Sequence, residues 1–319
     1  MQEPLFVKPK LQEKIWGGTK LRDIYGYDIP SDHTGECWAI SAHLDGVGTI
    51  SSGTYAGMPL NKLYEKEPQL FGNPSSPVFP LLTKIIDATE DLSVQVHPDD
   101  VYGLKHENDL GKTECWYVID ADEDSEIVYG HTAKNKEEFS KMISNGQWDD
   151  LLRRVKVKAG DFFFVPSGTI HAIGAGIMIL ETQQSSNTTY RVYDYDRKDN
   201  LGNSRELHIQ QSIDVTTIPH RDPELSIQTE VQADNEITTL IESDYFSVYR
   251  WNIHSEVYFG KKASYTLVSV IEGKGSLIVD NIKYPLNKGD HLILPAPITE
   301  WVIEGDIEII ASNPGPKNS

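Results

Sequence analysis

The sequence predicts a mainly β protein, a barrel or sandwich with some helix added, arranged as two related barrels. Three observations predict it. Glycine and proline are frequent, 24 and 17 in 319 residues. Many short β-branched or aromatic runs lie between these turn signals, which is how all-β barrels and sandwiches read. The chain is also too long for one ordinary compact core and suits two packed domains.

Candidate strands run over residues 92–96, 115–119, 126–129, 162–165, 177–182 and 188–195. Helical spacing, with apolar residues three and four apart, is confined to 136–144 continuing into 147–154, and to a shorter stretch at 204–213. A weak internal repeat supports the doubling. Lys158-Ala159-Gly160-Asp161 leads through three phenylalanines to Val165-Pro166, and Asn287-Lys288-Gly289-Asp290 leads through an apolar run to Pro295. In both, Gly-Asp predicts a tight turn, a short strand follows, and proline ends it at the same offset. The expected domains are 1–227 and 236–319, with the linker in the polar stretch 228–235. His171 falls eleven residues after Gly160, and the same offset from Gly289 reaches Glu300. If the barrels are related, the second has lost the histidine and the chemistry belongs to the first.

Composition excludes several partners. Net charge is −19 with no lysine- or arginine-rich stripe, so nucleic acid and anionic membranes, which demand a positive footprint, are not expected. An anionic small substrate requires only a few cations gathered in a cleft. No apolar run approaches the roughly 20 residues of a membrane helix. Met1-Gln2-Glu3-Pro4 lacks the layout of a signal peptide. Cys37 and Cys115 are too few for a disulfide framework and read as buried reduced thiols. The cytoplasm is the expected compartment.

Chemistry concentrates in the first barrel. If 91–98 is a strand, Ser93, Gln95 and His97 project from one face and the valines from the other. A half-exposed strand alternates in the same way. A second polar pair, Lys112 and Glu114, stands just ahead of the apolar start Cys115-Trp116-Tyr117-Val118, and His171 follows a proline-terminated strand. Two histidines and a carboxylate, with an amide nearby, make a zinc set that leaves a position open for water or substrate. Glutamine is an uncommon zinc ligand, so Gln95 is the weakest member. His33, His43 and His208 are set aside as surface or core residues. Further on, Glu181 opens a polar run, and Arg191, Tyr193 and Tyr195 are expected on one strand face. Arg191 reads equally as half of a surface ion pair with a nearby aspartate or as a functional cation.

At these residues the chain resembles the type I mannose-6-phosphate isomerase family, in the shorter form common in bacteria. The resemblance is carried by Lys14-Ile15-Trp16-Gly17-Gly18, Gly35-Glu36-Cys37-Trp38-Ala39-Ile40-Ser41 and Pro80-Leu81-Leu82-Thr83-Lys84. It continues through 92–99, 111–116, 166–173 and 181–196, in the family's order. It implies a metal-bearing cupin-like barrel followed by a smaller cupin-like barrel without the metal set. It also implies one zinc per chain on Gln95, His97, Glu114 and His171, with Arg191 as catalytic arginine. Ser93, Lys84, Lys112 and Glu181 fall on positions lining the family's pocket. The implied reaction interconverts mannose 6-phosphate and fructose 6-phosphate. Two departures stand out. The large helical insertion of the longer members is absent. The tight His-x-His spacing of other cupins is also absent, Glu114 lying seventeen residues beyond His97, so that a loop over 99–110 must bridge them.

Such an isomerisation moves a proton between C1 and C2 through an enediol-like intermediate. Arg191, permanently protonated, is expected to give electrostatic help at the reacting oxygens. Glu181 is the candidate base, because a carboxylate in a closed pocket has its pKa raised; a zinc-bound hydroxide or His97 are the alternatives. Lys84 and Lys112 are candidates to bind phosphate, or Lys112 to shuttle a proton. Rival readings are a cupin-type iron oxygenase using His97, Glu114 and His171, and a non-catalytic sugar-binding module.

Overall fold

Alternation along the short strands gives each a polar or site-facing side and an apolar side, and three antiparallel sheets result. The computed structural model describes residues 3–198 and 202–318. Its six-stranded sheet has the spatial order Phe162–Val165, Glu114–Ala121, Ile177–Gln184, Leu81–Ala88, Thr34–Ile40 and Lys10–Gly18. A five-stranded sheet follows the order Tyr190–Tyr193, Val94–Val96, His171–Ile173, Glu126–His131 and Leu152–Lys156. The two pack face to face over Ile86, Trp116, Val118 and Ile179 from the first and Ile127, Tyr129 and Ile173 from the second.

The outer side of the five-stranded sheet is roofed by helices. Val94, Val96, Val128 and Val192 pack with Phe139, Ile143 and Leu151. The helix Lys136–Ser144 forms as its spacing predicts, with Phe139 and Ile143 buried one turn apart. Its start is a reciprocal cap: Glu138 N donates to Asn135 Oδ1 at 2.9 Å, and Lys134 N donates to the Glu138 carboxylate at 2.8 Å. Gly146, at φ 65°, follows its end.

The third sheet holds ten strands, mostly from the carboxy-terminal part, around a core of Trp251, Val268, Val270, Leu277 and Ile309. The strand Leu5–Lys8 joins this sheet by pairing with His291–Leu294. A fourth apolar cluster welds the barrels together: Cys37, Ile85, Cys115 and Leu180 on the outer side of the six-stranded sheet meet Leu240, Phe246, Leu267 and Ile293.

The repeated turn is present in both barrels. Lys158 N donates to Asp161 Oδ2 at 2.9 Å, and Asn287 N to Asp290 Oδ2 at 2.7 Å. Gly160 and Gly289 take φ of 90° and 88°, a conformation that costs glycine little and other residues much. Their N–H groups donate to Val118 and Val270 carbonyls at 2.8 and 2.9 Å.

Several expected elements differ. The helical reading of 147–154 gives way after the single turn Trp148–Leu151, because Leu152–Lys156 pairs with Glu126–His131 instead. The stretch 204–213 yields the later helix Ile209–Val215. Strand 92–96 contracts to Val94–Val96, and 188–195 to Tyr190–Tyr193, since Tyr195 and Asp196 turn to φ 56° and 55°. A bulge between Arg191 and Tyr193 also parts those two side chains, so their expected common face does not form. Tyr193 stacks on Trp148 with 4.4 Å between ring centroids. The loop expected over 99–110 contains the helix Asp100–His106, capped by Asp99. The polar stretch 228–235, expected as linker, holds the strand Gln228–Gln232.

Close strand packing demands glycine at Gly17, where a Cβ would sit 2.4 Å from the Gly35 backbone nitrogen. Gly17→Ala is therefore expected to destabilise the fold by about 1–3 kcal/mol, the usual cost of forcing atoms into filled space. Denaturant unfolding checks this, and an unchanged midpoint would mean the strand pair separates without penalty.

Candidate metal centre and active site

Strand register assembles the site as two facing rows. Across the five-stranded sheet, Arg191 is paired with Gln95 and Gln95 with His171. Across the six-stranded sheet, Trp116 is paired with Glu181, Glu181 with Lys84, and Lys84 with Trp38. Between the rows lies a cavity of about 310 Å³ lined in part by Ser93, Gln95, Lys84, Lys112, Glu181 and Arg191. The alternation of 93–97 is resolved in favour of a site face, with Val94 and Val96 turned under the helices.

Next to the cavity, against its lining residues Gln95, Lys112 and Trp116, ligand atoms of His97, Glu114 and His171 lie within 4.8 Å of one another, and all three residues are buried. His97 Nε2 is 3.4 Å from Glu114 Oε2, and His171 Nε2 is 3.4 Å from Glu114 Oε1. Each histidine uses Nδ1 on a backbone carbonyl: His97 on Thr188 at 2.9 Å, His171 on Thr169 at 2.8 Å. A carbonyl only accepts, so Nδ1 carries the proton and Nε2 keeps its lone pair. Burial and the Lys112 charge push His97 down to about 3, and burial lowers His171 as well. Both rings are neutral, and their Nε2 lone pairs converge on a carboxylate. Acceptors facing acceptors call for a cation beside them: the Lys112 ammonium meets His97 Nε2 and Glu114 Oε2 here, and two neutral imidazoles with a carboxylate are also a donor set that fits a divalent metal. Gln95 Nε2 lies 3.3 Å from His171 Nε2; the amide would have to turn for its oxygen to join the set.

Lys112 Nζ stands 3.1 Å from His97 Nε2 and 2.7 Å from Glu114 Oε2. The latter contact is a close, buried ion pair. Burial works against the Lys112 charge, but Glu114 and Glu181 outweigh it and hold the ammonium above its ordinary pKa. Glu181 also shifts upward, which for a carboxyl group favours the neutral form. Burial, then the Glu114 charge, push it up to about 7, although Lys84 Nζ is 3.6 Å and Lys112 Nζ 4.0 Å away. Trp116 Nε1 donates to both carboxylates, at 3.0 Å to Glu114 and 3.3 Å to Glu181.

Arg191 does not form the surface ion pair that its neighbourhood allowed. Asp194 is taken by Arg197 and Arg205, each 2.5 Å from its Oδ1. Among the described residues no carboxylate lies within 4 Å of Arg191. Its Nε donates to Ser93 Oγ at 3.3 Å and its Nη1 to the Glu206 carbonyl at 2.9 Å. An uncompensated cation therefore edges the cavity.

Sequence reasoning singled out none of Lys14, Glu36, Asn187, Thr189 or Arg205, all of which line the same space. Lys14 and Glu36 stand within the stretches that carry the family resemblance, and they pair at 3.2 Å. Arg205 lies in no such stretch, and only the fold brings it near. Five cations, Lys14, Lys84, Lys112, Arg191 and Arg205, face two lining carboxylates, Glu36 and Glu181. The cleft is locally cationic within a strongly acidic chain.

Known proteins match this architecture. Residues 5–133 match the family model "Phosphomannose isomerase type I, catalytic domain", and 236–314 match "Mannose-6-phosphate isomerase, cupin domain". The mannose-6-phosphate isomerase of Streptococcus mutans is 58% identical over 313 residues, covering 98% of this chain and 99% of its own. The crystal structure of mannose 6-phosphate isomerase from Bacillus subtilis superposes with a TM-score of 0.96 at 50% identity, covering 98% of this chain and 100% of that one. A mannose 6-phosphate isomerase bound with zinc and yttrium shares the fold, with a TM-score of 0.79 at 17% identity over 98% of this chain and 99% of that one.

Proposed function

The chain belongs to the type I phosphomannose isomerase family, and on that premise we propose that it interconverts D-mannose 6-phosphate and D-fructose 6-phosphate at a zinc site. The observation that carries this reading is the pair of neutral, tautomer-fixed histidines converging on buried Glu114 next to a cationic cleft. His97, Glu114 and His171 hold the ion, one per chain, with Gln95 as a fourth donor. When bound, zinc supplies Lewis-acid polarisation of a carbonyl or hydroxyl oxygen without redox chemistry.

The chain's own residues do the rest. Glu181, poised near neutrality, takes the proton from one of C1 and C2 and returns it to the other through an enediol-type intermediate. Lys112, held protonated by two carboxylates, gives a proton to the oxygen of the carbonyl carbon and takes back the hydroxyl proton of the neighbouring carbon, so that the oxygens exchange one proton as the carbons do and Lys112 ends as it began. Arg191, free of any carboxylate partner, stabilises developing negative charge and is oriented by Ser93. Lys84 keeps Glu181 company at 3.6 Å and adds positive charge for the phosphate-bearing substrate. We place the protein in the cytoplasm, in keeping with Cys37 and Cys115 being free and buried. Among the described residues no helix is long and apolar enough to cross a membrane.

Mannose 6-phosphate turnover, measured before and after chelation and zinc readdition, tests the reading. Activity is expected to vanish with the chelator and return with zinc. No turnover in fully metallated protein would sink it.

A further inference from the structure

The segment between His97 and Glu114 does more than close a gap. From its helix Asp100–His106 and the turn that follows, three carboxylates reach across to the stretch 184–190. Asp100 Oδ1 accepts from Gln184 Nε2 at 2.9 Å, and Glu107 Oε1 accepts from the Tyr190 hydroxyl at 2.8 Å. Asp109 makes the densest contact: its Oδ2 accepts from Ser186 Oγ at 2.8 Å, Thr188 Oγ1 at 2.9 Å and Asn187 N at 3.2 Å. Its other oxygen accepts from Leu110 N at 2.8 Å. The Thr188 carbonyl in turn accepts from His97 Nδ1 at 2.9 Å.

We propose that Asp109 is a positioning residue for the metal centre: by clamping 186–188 it fixes the carbonyl that selects the His97 tautomer and aims His97 Nε2 at the ion. The proposal rests on the zinc reading above. The two histidines differ in the way that makes such a clamp necessary. His171 is oriented by Thr169, two residues away on its own turn, so local chain geometry suffices. His97 is oriented by a carbonyl 91 residues distant, on a stretch that is not paired in any sheet between Ser185 and Thr189. Backbone bonds hold the stretch only at its ends, Ser185 N to the Pro80 carbonyl at 2.8 Å and Tyr190 by pairing with Val96. Between them side chains do the work: Gln183 Nε2 on the Ser186 carbonyl, Asp45 on Asn187 Nδ2, and Asp109 with three bonds. Asp109 does not line the cavity, whereas Asn187 and Thr189, on either side of Thr188, do. It therefore acts through the stretch it holds, on a ligand histidine and on the cavity wall together.

The test is zinc affinity, read by competition against a chelator of known affinity. Asp109→Ala is expected to weaken zinc binding about 10–100-fold, the range for loss of an outer-shell partner of a metal ligand. Thr188→Val, which removes one of the three bonds, is expected to weaken it less. The downfield His97 Nδ1 proton resonance should broaden or vanish in Asp109→Ala. A folded Asp109→Ala with unchanged zinc affinity would overturn the proposal. Should that variant fail to fold, unchanged affinity in both Asp109→Asn and Thr188→Val would overturn it equally. A wild-type chain that binds no zinc removes the metal reading and the proposal with it, so the two failures are told apart.

Discussion

Glu181→Gln is expected to lower kcat by about 10²–10⁴-fold, the usual contribution of a positioned proton-transfer group. The substitution keeps the shape of the side chain and an oxygen for Trp116 Nε1, but it removes the lone pair that takes the proton. The pH profile makes the assignment specific. A base works deprotonated, and Glu181 is pushed up to about 7. For the wild type, kcat/KM should therefore level off above neutral pH and fall as pH drops through about 7. In Glu181→Gln that acid limb should be gone from the residual activity. Steady-state rates across pH check both statements, and a variant that keeps its rate or its limb would remove Glu181 as the base. A separate cost is expected in stability, because Lys84 and Lys112 lose a carboxylate neighbour in a buried setting. Unfolding curves separate that cost from the catalytic one.

Arg191→Ala should leave zinc bound and the fold intact while lowering turnover about a hundredfold, the effect of losing one preorganised charged donor, on the order of 3 kcal/mol. Its bonds go to Ser93 Oγ and the Glu206 carbonyl, so its removal strands no buried carboxylate. Burial, then the nearby Arg205 charge, lower its pKa, which means the guanidinium sits in surroundings that favour an arriving anion. Arg191→Lys is not expected to restore the rate, since an ammonium does not reproduce the planar fork. Zinc content and turnover, measured on the same preparation, decide the matter. Unchanged turnover would take Arg191 out of the mechanism.

Much of the site was legible because its chemistry is local. Alternation at Ser93-Val94-Gln95-Val96-His97 announced a polar face, and Lys112 and Glu114 announced another two residues apart. Glu181 was legible only as a carboxylate in a plausible pocket; it is pushed up to about 7 first by burial and then by Glu114, which comes 67 residues earlier in the chain. Arg205 was invisible, because no pattern in its neighbourhood distinguishes a pocket cation from a surface one.

By itself the sequence determined that Ser93, Gln95 and His97 would alternate with valines, where the two Gly-Asp turns would fall, and which side chains were of a type a metal could use. Those properties follow from residue chemistry and short-range periodicity. Only the tertiary structure decided the register that sets Arg191, Gln95 and His171 opposite Trp116, Glu181 and Lys84. It also decided that Leu152–Lys156 would be strand and not helix, that Asp194 would hold Arg197 and Arg205 and leave Arg191 free, and that Leu5–Lys8 would complete the last barrel. Each of these outcomes is a competition between partners far apart in the chain, settled by which pairing buries the most apolar surface and satisfies the most polar groups. No short window of sequence contains both competitors.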